Sequence, residues 1–370
     1  MATIYGNKYR HMIKENVAPK GTKHIAVYKG IKKVGMIPLG LISQPNLEKN
    51  YSFCAVSDVH VPYSTAADDL RRAFQYVEDN DVKFTCICGD LTSGGSDSEM
   101  EQYKTIAQTA KTKPVYAITG NHESLWGHIT FDRPTPYTGL PLYYAIGIDR
   151  YGNQIDQSVD GVSKEFGDDV KDVFLMVGYT GNETGGWTND GCVTIEELQY
   201  VYETLEKNRN KRCFVWHHVY PYQDMVGDAC RYYNGNYWNQ NDNGKGTVFS
   251  NLVKHYKNVI LFHGHSHLRF HLQSEADYAN YAYTGYKNVH IPSLAVPRDR
   301  VDGGTNYIYA ESEGYIIDVY DNYIILNGMD FIDNMKDGMA IPLGTIKVDT
   351  PIEIVPPKSF SGDFGLLTLL

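Results

Sequence analysis

Between Tyr51 and Glu123 the chain repeats one unit, in which an apolar run of strand length leads into a polar cluster and then a helix with one apolar face. The run 52–57 precedes Asp58-Val59-His60 and a helix opening at Thr65, where Asp68 gives a capping-box spacing and Leu70, Phe74 and Val77 mark one face. The run 82–88 leads to Gly89-Asp90. Ser96 with Glu99 then caps a second helix, on which Met100, Tyr103, Ile106, Ala107 and Ala110 form a stripe. The run 114–119 leads to Gly120-Asn121-His122-Glu123. A β-α-β-α-β order implies parallel strands with right-handed crossovers, so the three strand ends open on one edge of a sheet. A site is expected there.

The remaining chain is read more coarsely. Residues 1–50 form an N-terminal β-rich arm, with a turn at Lys29-Gly30. The stretch 125–172, with Pro134, Pro136 and Pro141, is too irregular to assign. Strands are predicted over 173–177, 212–216 and 259–262, and helices over 194–208, with a Thr194/Glu197 cap, and 247–256. Residues 315–320 and 323–327 flank the Asp321-Asn322 turn as a hairpin, and 331–370 form a C-terminal β-type tail.

The composition, 42% apolar and 21% charged over 370 residues, is that of a globular protein able to bury a large core. A formal net charge of -10 sets the overall field against nucleic acid, and no Lys/Arg run is long enough to override it. The start lacks the apolar region of a secretory signal, and no stretch nears the roughly 18 apolar residues of a membrane span, so a soluble, cytoplasmic protein with no membrane partner is expected. Four of the six cysteines lie in apolar runs and read as small buried hydrophobes. Cys86 and Cys88, two apart on a strand, share a face with apolar neighbours instead of forming a metal pair.

Five polar clusters follow predicted strands in order: Asp58-Val59-His60, Gly89-Asp90, Gly120-Asn121-His122-Glu123, His217-His218 and Gly264-His265-Ser266-His267. Each alone is commonplace, since a Gly-Asp after a strand is usually a turn and a lone histidine is usually a satisfied polar group. Together they offer oxygen and nitrogen donors suited to divalent first-row cations, with no thiolate among them. Seven candidate ligands exceed the needs of one tetrahedral ion. Two ions sharing a bridging carboxylate would use them all.

The order D-x-H, G-D, G-N-H-[D/E], a strand-end His and G-H-x-H resembles the calcineurin-like metallophosphoesterase superfamily, from about Asp58 to His267 with compatible strands to about Asn327. The resemblance implies an α/β fold: a four-layer α-β-β-α sandwich of two mixed sheets flanked by helices, with a dinuclear metal site at strand ends and a catalytic domain over 51–330. By the family pattern, Asp58, His60 and His267 hold one metal, Asn121, His217 and His265 the other, and Asp90 bridges them. His217 is taken over His218 because the family usually uses the first His of such a pair. His122 would act as general acid or charge stabiliser. Glu123 would orient His122, or else serve a helix start or the surface. Purple acid phosphatases carry a tyrosine ligand three residues after the bridging Asp; Ser93 stands there, which favours Mn, Fe(II) or Zn over a tyrosinate-bound ferric ion.

The implied reaction is hydrolysis of a phosphate mono- or diester by a metal-bridging hydroxide. The net charge and the aromatic stretch 220–246 favour a small-molecule or glycan-linked phosphate ester as partner. Arg298 offers a bidentate phosphate contact or a surface salt bridge. The alternatives are a nuclease of the same superfamily, which the charge disfavours, and an assembly component that has lost catalysis, for which missing ligands would be the mark.

Overall fold

The structure, a computed structural model, describes residues 3–4, 24–29, 32–38, 48–63, 65–124, 141–158, 161–180, 193–219, 245–272, 287–301, 304–308, 311–331 and 340–350. Three strands, β1 (Thr3–Ile4), β2 (His24–Lys29) and β3 (Lys32–Pro38), form a small N-terminal sheet. The first repeated unit becomes β4 (Tyr51–Val56) and α1 (Ala66–Asp79), and the second β5 (Thr85–Cys88) and α2 (Asp97–Ala107). β6 (Val115–Ile118) and the short α3 (Asn121–Ser124) complete the third. Then come β7 (Tyr143–Ile148), β8 (Gln154–Gln157), β9 (Asp172–Val177), α4 (Ile195–Lys207), β10 (Arg212–Trp216), α5 (Lys245–His255), β11 (Val259–His263) and β12 (Lys287–His290). A hairpin of β13 (Arg298–Val301) and β14 (Gly304–Tyr307) precedes β15 (Glu313–Val319), β16 (Tyr323–Asp330) and β17 (Ile341–Asp349).

Two six-stranded mixed sheets result, ordered β17-β16-β15-β4-β5-β6 and β12-β11-β10-β9-β7-β8. β4, β5 and β6 are parallel, as are β9 to β12, while β15 and β7 join antiparallel. Strand alternation sorts the side chains into layers. Phe53 and Ala55 face the space between the sheets with Phe174, Phe214, Trp216 and Phe262, while Cys54 and Val56 pack under Leu70, Phe74, Met100 and Ile106 of α1 and α2. On the second sheet Cys213 and Val215 face Leu198, Val201, Phe249 and Leu252 of α4 and α5. The order of layers is therefore helix, sheet, sheet, helix. Phe53 stacks on Phe84 at 5.4 Å and meets Phe174 edge-on at 5.2 Å, so truncating it to alanine would cost about 3–5 kcal/mol.

At the strand starts the sheets are tied by a buried network. Arg212 donates to both oxygens of Asp172 at 2.7 and 2.9 Å, Tyr51 donates to the same carboxylate, and Arg212 reaches the Tyr320 carbonyl. The opposite ends of the parallel strands carry the polar clusters. No helix among the described residues is long and apolar enough to cross a membrane.

Ser96/Glu99 and Thr194/Glu197 form complete capping boxes. Thr65 does not cap through its side chain, because its hydroxyl bonds the buried Asp69 instead. The stretch 125–172, read as irregular, contains the β7–β8 hairpin, whose turn is closed by Asp149 accepting from the Tyr151 and Asn153 N–H groups. Within the tail, β17 pairs with β16 at the edge of the first sheet. Cys54, Cys86, Cys88 and Cys213 are buried free thiols, while Cys192 and Cys230 lie outside the described residues, as does most of the 220–246 stretch.

Candidate metal centre

The clusters converge at the ends of β4, β5, β6, β10 and β11. One group comprises Asp58, His60, Asp90 and His267, a second Asp90, His218 and His265; within each group the donor atoms lie within 4.8 Å of one another, and all are buried. Asp90 belongs to both. The Nε2 atoms of His60 and His267 approach to 3.1 Å, and His267 Nε2 lies 3.1 Å from Asp58 Oδ1. His218 Nε2 lies 3.1 Å from Asp90 Oδ2 and 3.8 Å from Asp58 Oδ1. The His265 backbone N–H donates to both Asp58 oxygens.

Local backbone geometry explains how strand ends deliver these groups. Asp58, His60, Asp90, His265 and His267 all have φ between 48° and 72°, the left-handed region that side chains with a Cβ avoid. Among the described residues these are the non-glycine residues with positive φ, and every one is a candidate ligand. Such strain persists where surrounding structure enforces it, and it concentrates at functional sites. The neighbouring glycines admit close approach: a Cβ on Gly120 would collide with the Asp90 carboxylate, and one on Gly264 with Ser57 and Asp58.

The imidazoles are oriented from behind. Nδ1 of His218 lies 2.6 Å from the Cys88 carbonyl, that of His267 3.1 Å from Val296, and that of His122 2.6 Å from Ser93. A carbonyl only accepts, so in each ring Nδ1 carries the proton and donates, leaving Nε2 for the cluster.

Burial opposes ionisation of Asp58, but His267 and His218 beside it hold its carboxyl well below the usual range; His218, His122 and His60 do the same for Asp90 against its burial. Burial would lower His218, yet the Asp90 and Asp58 carboxylates outweigh it and lift the imidazole to about 9. Burial dominates at His60 and His265 and drives both down to about 3, so they are neutral donors. Two carboxylates and four imidazoles, oxygen and nitrogen donors only, with one carboxylate common to both groups, fit a pair of divalent first-row cations.

Of the residues expected from sequence, Asp58, His60, Asp90, His265 and His267 come together. Asn121 opens α3 beside them, next to His122, whose backbone N–H donates to Asp90 Oδ1 at 2.9 Å. The His122 ring stands edge-on to His60 at 4.5 Å, with Nε2 3.8 Å from Asp90 Oδ2. His217 is a correction: the second histidine of the pair, His218, faces the cluster. Phe214 and Trp216 point between the sheets, so His217 turns the other way, toward Phe249 of α5 at 5.4 Å with Nδ1 on the Val177 carbonyl, and His218 turns back to the centre. Period-two alternation along β10 was the signal that could have found it.

Of the roles expected for Glu123, the structure shows a helix-start contact, since its carboxylate accepts from the N–H of Gly120 just before α3. Its buried carboxylate accepts from Thr92 and Gly120, not from the His122 ring. Burial, with Asp90 nearby, lifts it to about 7 despite those donors. Arg298 begins β13 half-buried, and its backbone N–H donates to the His267 carbonyl.

No curated protein matches the chain. Among solved structures it is similar to a dimetal phosphatase from Danio rerio, at 11% identity and TM-score 0.49 over 82% of this chain and 100% of that one. It is similar to a purple acid phosphatase from yellow lupin (Lupinus luteus) seeds at 12% identity and TM-score 0.45, over 81% of this chain and 54% of that one. GAP50, the anchor in the inner membrane complex of Plasmodium, is similar at 10% identity and TM-score 0.46, over 81% and 89%. The calcineurin-like phosphoesterase family matches residues 51–269, a span that takes in more than half of the chain and all five clusters. The chain therefore belongs to the calcineurin-like phosphoesterase family.

Proposed function

We propose that the chain hydrolyses a phosphate mono- or diester at a pair of divalent cations, Mn, Fe(II) or Zn. Asp58, His60 and His267 would hold one and Asn121, His218 and His265 the other, with Asp90 common to both. When bound, such cations supply Lewis acidity toward phosphoryl oxygens and lower the pKa of water toward neutrality. The chain's own residues do the rest. The ionised Asp58 and Asp90 and the neutral His60 and His265 form a donor cage whose burial strengthens every charge interaction inside it. His122, with its Nδ1–H committed to the Ser93 carbonyl, would act at Nε2 only when that nitrogen also carries a proton, which it would give to the leaving oxygen, or keep as a positive charge beside it.

The observation that carries this reading is Asp90, one buried carboxylate common to both donor groups. A net charge of -10 supports a small-molecule or glycan-linked phosphate ester over nucleic acid. The test is turnover of p-nitrophenyl phosphate and its bis ester by protein loaded in turn with Mn, Zn, Ni and Fe(II), alongside metal content. Two ions per chain with hydrolysis of either ester is expected. Two ions with no turnover under any metal would overturn the catalytic reading in favour of an assembly component.

A further inference from the structure

Glu123 is an acid among the clusters that belongs to neither donor group, and its surroundings are built to hold it. The side chain is 1% exposed. Oε1 accepts from the Thr92 backbone N–H at 2.8 Å and from the Thr92 hydroxyl at 2.9 Å, and Oε2 accepts from the Gly120 N–H at 2.6 Å. Thr92 and Gly120 belong to different strand-end loops. Thr92 follows Asp90 by two residues, and its hydroxyl also accepts from the Gly95 N–H, fixing the turn. Its neighbour Ser93 donates its hydroxyl to the His60 carbonyl and accepts from His122 Nδ1. Gly120 lies so close to Asp90 that no Cβ fits between them, and it leads directly into Asn121. One carboxylate thus joins the loop carrying the shared Asp90 to the loop carrying Asn121 and His122.

The donor pattern explains why the residue is an acid. Both oxygens face main-chain N–H groups, so both ends of the side chain must accept; glutamine would turn its NH2 against one of them. A buried anion is costly, and three converging donors offset that cost only at the observed spacing of the two loops. Burying a carboxylate for fold stability alone is a poor bargain beside an apolar residue.

We propose that Glu123 is a positioning residue that sets the separation of Asp90 from Asn121 and His122, and so governs binding of the second cation and placement of His122. This rests on the two-cation reading above. The test uses the full chain with Glu123→Gln, Glu123→Asp and Thr92→Val, the last removing one donor while leaving the carboxylate in place. Mn titration calorimetry, the exchange-coupled dimanganese EPR signal, kcat and KM on p-nitrophenyl phosphate, and the Tm of metal-free protein are measured for each.

Wild type is expected to load two ions with a coupled signal. In Glu123→Gln the first ion should bind within about threefold of wild type, the second at least tenfold more weakly, and the coupled signal should change. At saturating Mn, kcat should fall at least tenfold with KM within about twofold, and Glu123→Asp should recover part of both effects. If Gln fails to fold, Thr92→Val decides by the same second-ion weakening on a smaller scale. Retention of both affinities, the coupled signal and kcat within twofold would overturn the proposal. So would a uniform loss at both ions tracking a lowered metal-free Tm. A wild type that binds fewer than two ions would instead overturn the two-cation reading itself.

Discussion

The imidazole of His218, two residues past the end of β10 in the second sheet, donates from Nδ1 to the Cys88 carbonyl at the end of β5 in the first, at 2.6 Å. That bond crosses between the sheets and aims Nε2 at Asp90. His217, its neighbour, bonds back within its own sheet to Val177. The two histidines should therefore separate by experiment. His218→Ala is expected to lower metal content below two ions per chain and weaken the second ion at least tenfold. His217→Ala should keep both ions and lose roughly 1–3 kcal/mol of stability from the broken buried hydrogen bond. Elemental analysis and urea unfolding of the pair decide; equal metal loss would show that the adjacent ring also ligates.

His122 and Asp90 are expected to divide chemistry from metal binding. His122 reaches the cluster with Nε2 3.8 Å from Asp90 and is oriented through Ser93, so His122→Ala should leave both ions bound while kcat falls about 10²–10⁴-fold. Asp90 belongs to both donor groups, so Asp90→Ala should lose metal as well as turnover. Parallel elemental analysis and rates check this, and equal metal loss in the two variants would contradict it.

Glu197 gives a pH dependence away from the metal site. It is fully buried at the start of α4, accepts from Thr180 and the Thr194 N–H, and burial pushes its carboxyl to about 7 despite those bonds. Below an ordinary carboxyl value near 4.5 both folded and unfolded chains keep the proton. As pH rises from there, the unfolded chain ionises first and is favoured; above about 7 the folded chain is also ionised and the loss is complete. Stability contributed by the protonated group is therefore present in acid and lost by neutral pH, a change of roughly 3 kcal/mol. Glu197→Gln, which still suits a capping box, should flatten that fall when metal-free protein is unfolded by urea at about pH 5 and about pH 8. Identical slopes in both proteins would rule the group out as the source.

Features that depend on near neighbours were legible in the sequence. Ser96 with Glu99 and Thr194 with Glu197 sit three apart and cap as that spacing dictates, and Asp321-Asn322 between alternating runs announces the β15–β16 hairpin. The same spacing at Thr65 misled, because Asp69, buried against Arg72, competes for the hydroxyl, and burial is a tertiary fact. β12 has four residues and, among the described residues, one hydrogen-bonded neighbour, β11, so its run carries little pattern of its own. At the site, residue types and order pointed to most of the donors. Which way a ring turns at a strand end depends on which face the strand buries, and there the alternation through Phe214 and Trp216 outranks family habit. For Glu123 the local contact to Gly120, three residues back, matches a helix start, while its bonds to Thr92 come about only when β5 and β6 pair.

The left-handed backbone at the ligands makes a prediction that separates function from folding. His60 at φ 50° and His265 at φ 72° occupy a region that costs a residue with a Cβ about 1–2 kcal/mol, a cost glycine escapes. His60→Gly and His60→Ala both remove the imidazole, so both should weaken metal binding alike. They should differ in the metal-free fold. Glycine relieves the strain but carries about 0.5–1 kcal/mol more unfolded-state entropy, leaving the glycine variant more stable by up to about 1.5 kcal/mol, with the same order at His265. Urea unfolding of the metal-free variants measures the difference. An alanine variant at least as stable as the glycine one at both positions would mean that the left-handed conformation is not held once the ring is gone, and that the ligand side chains impose it instead of the strand ends.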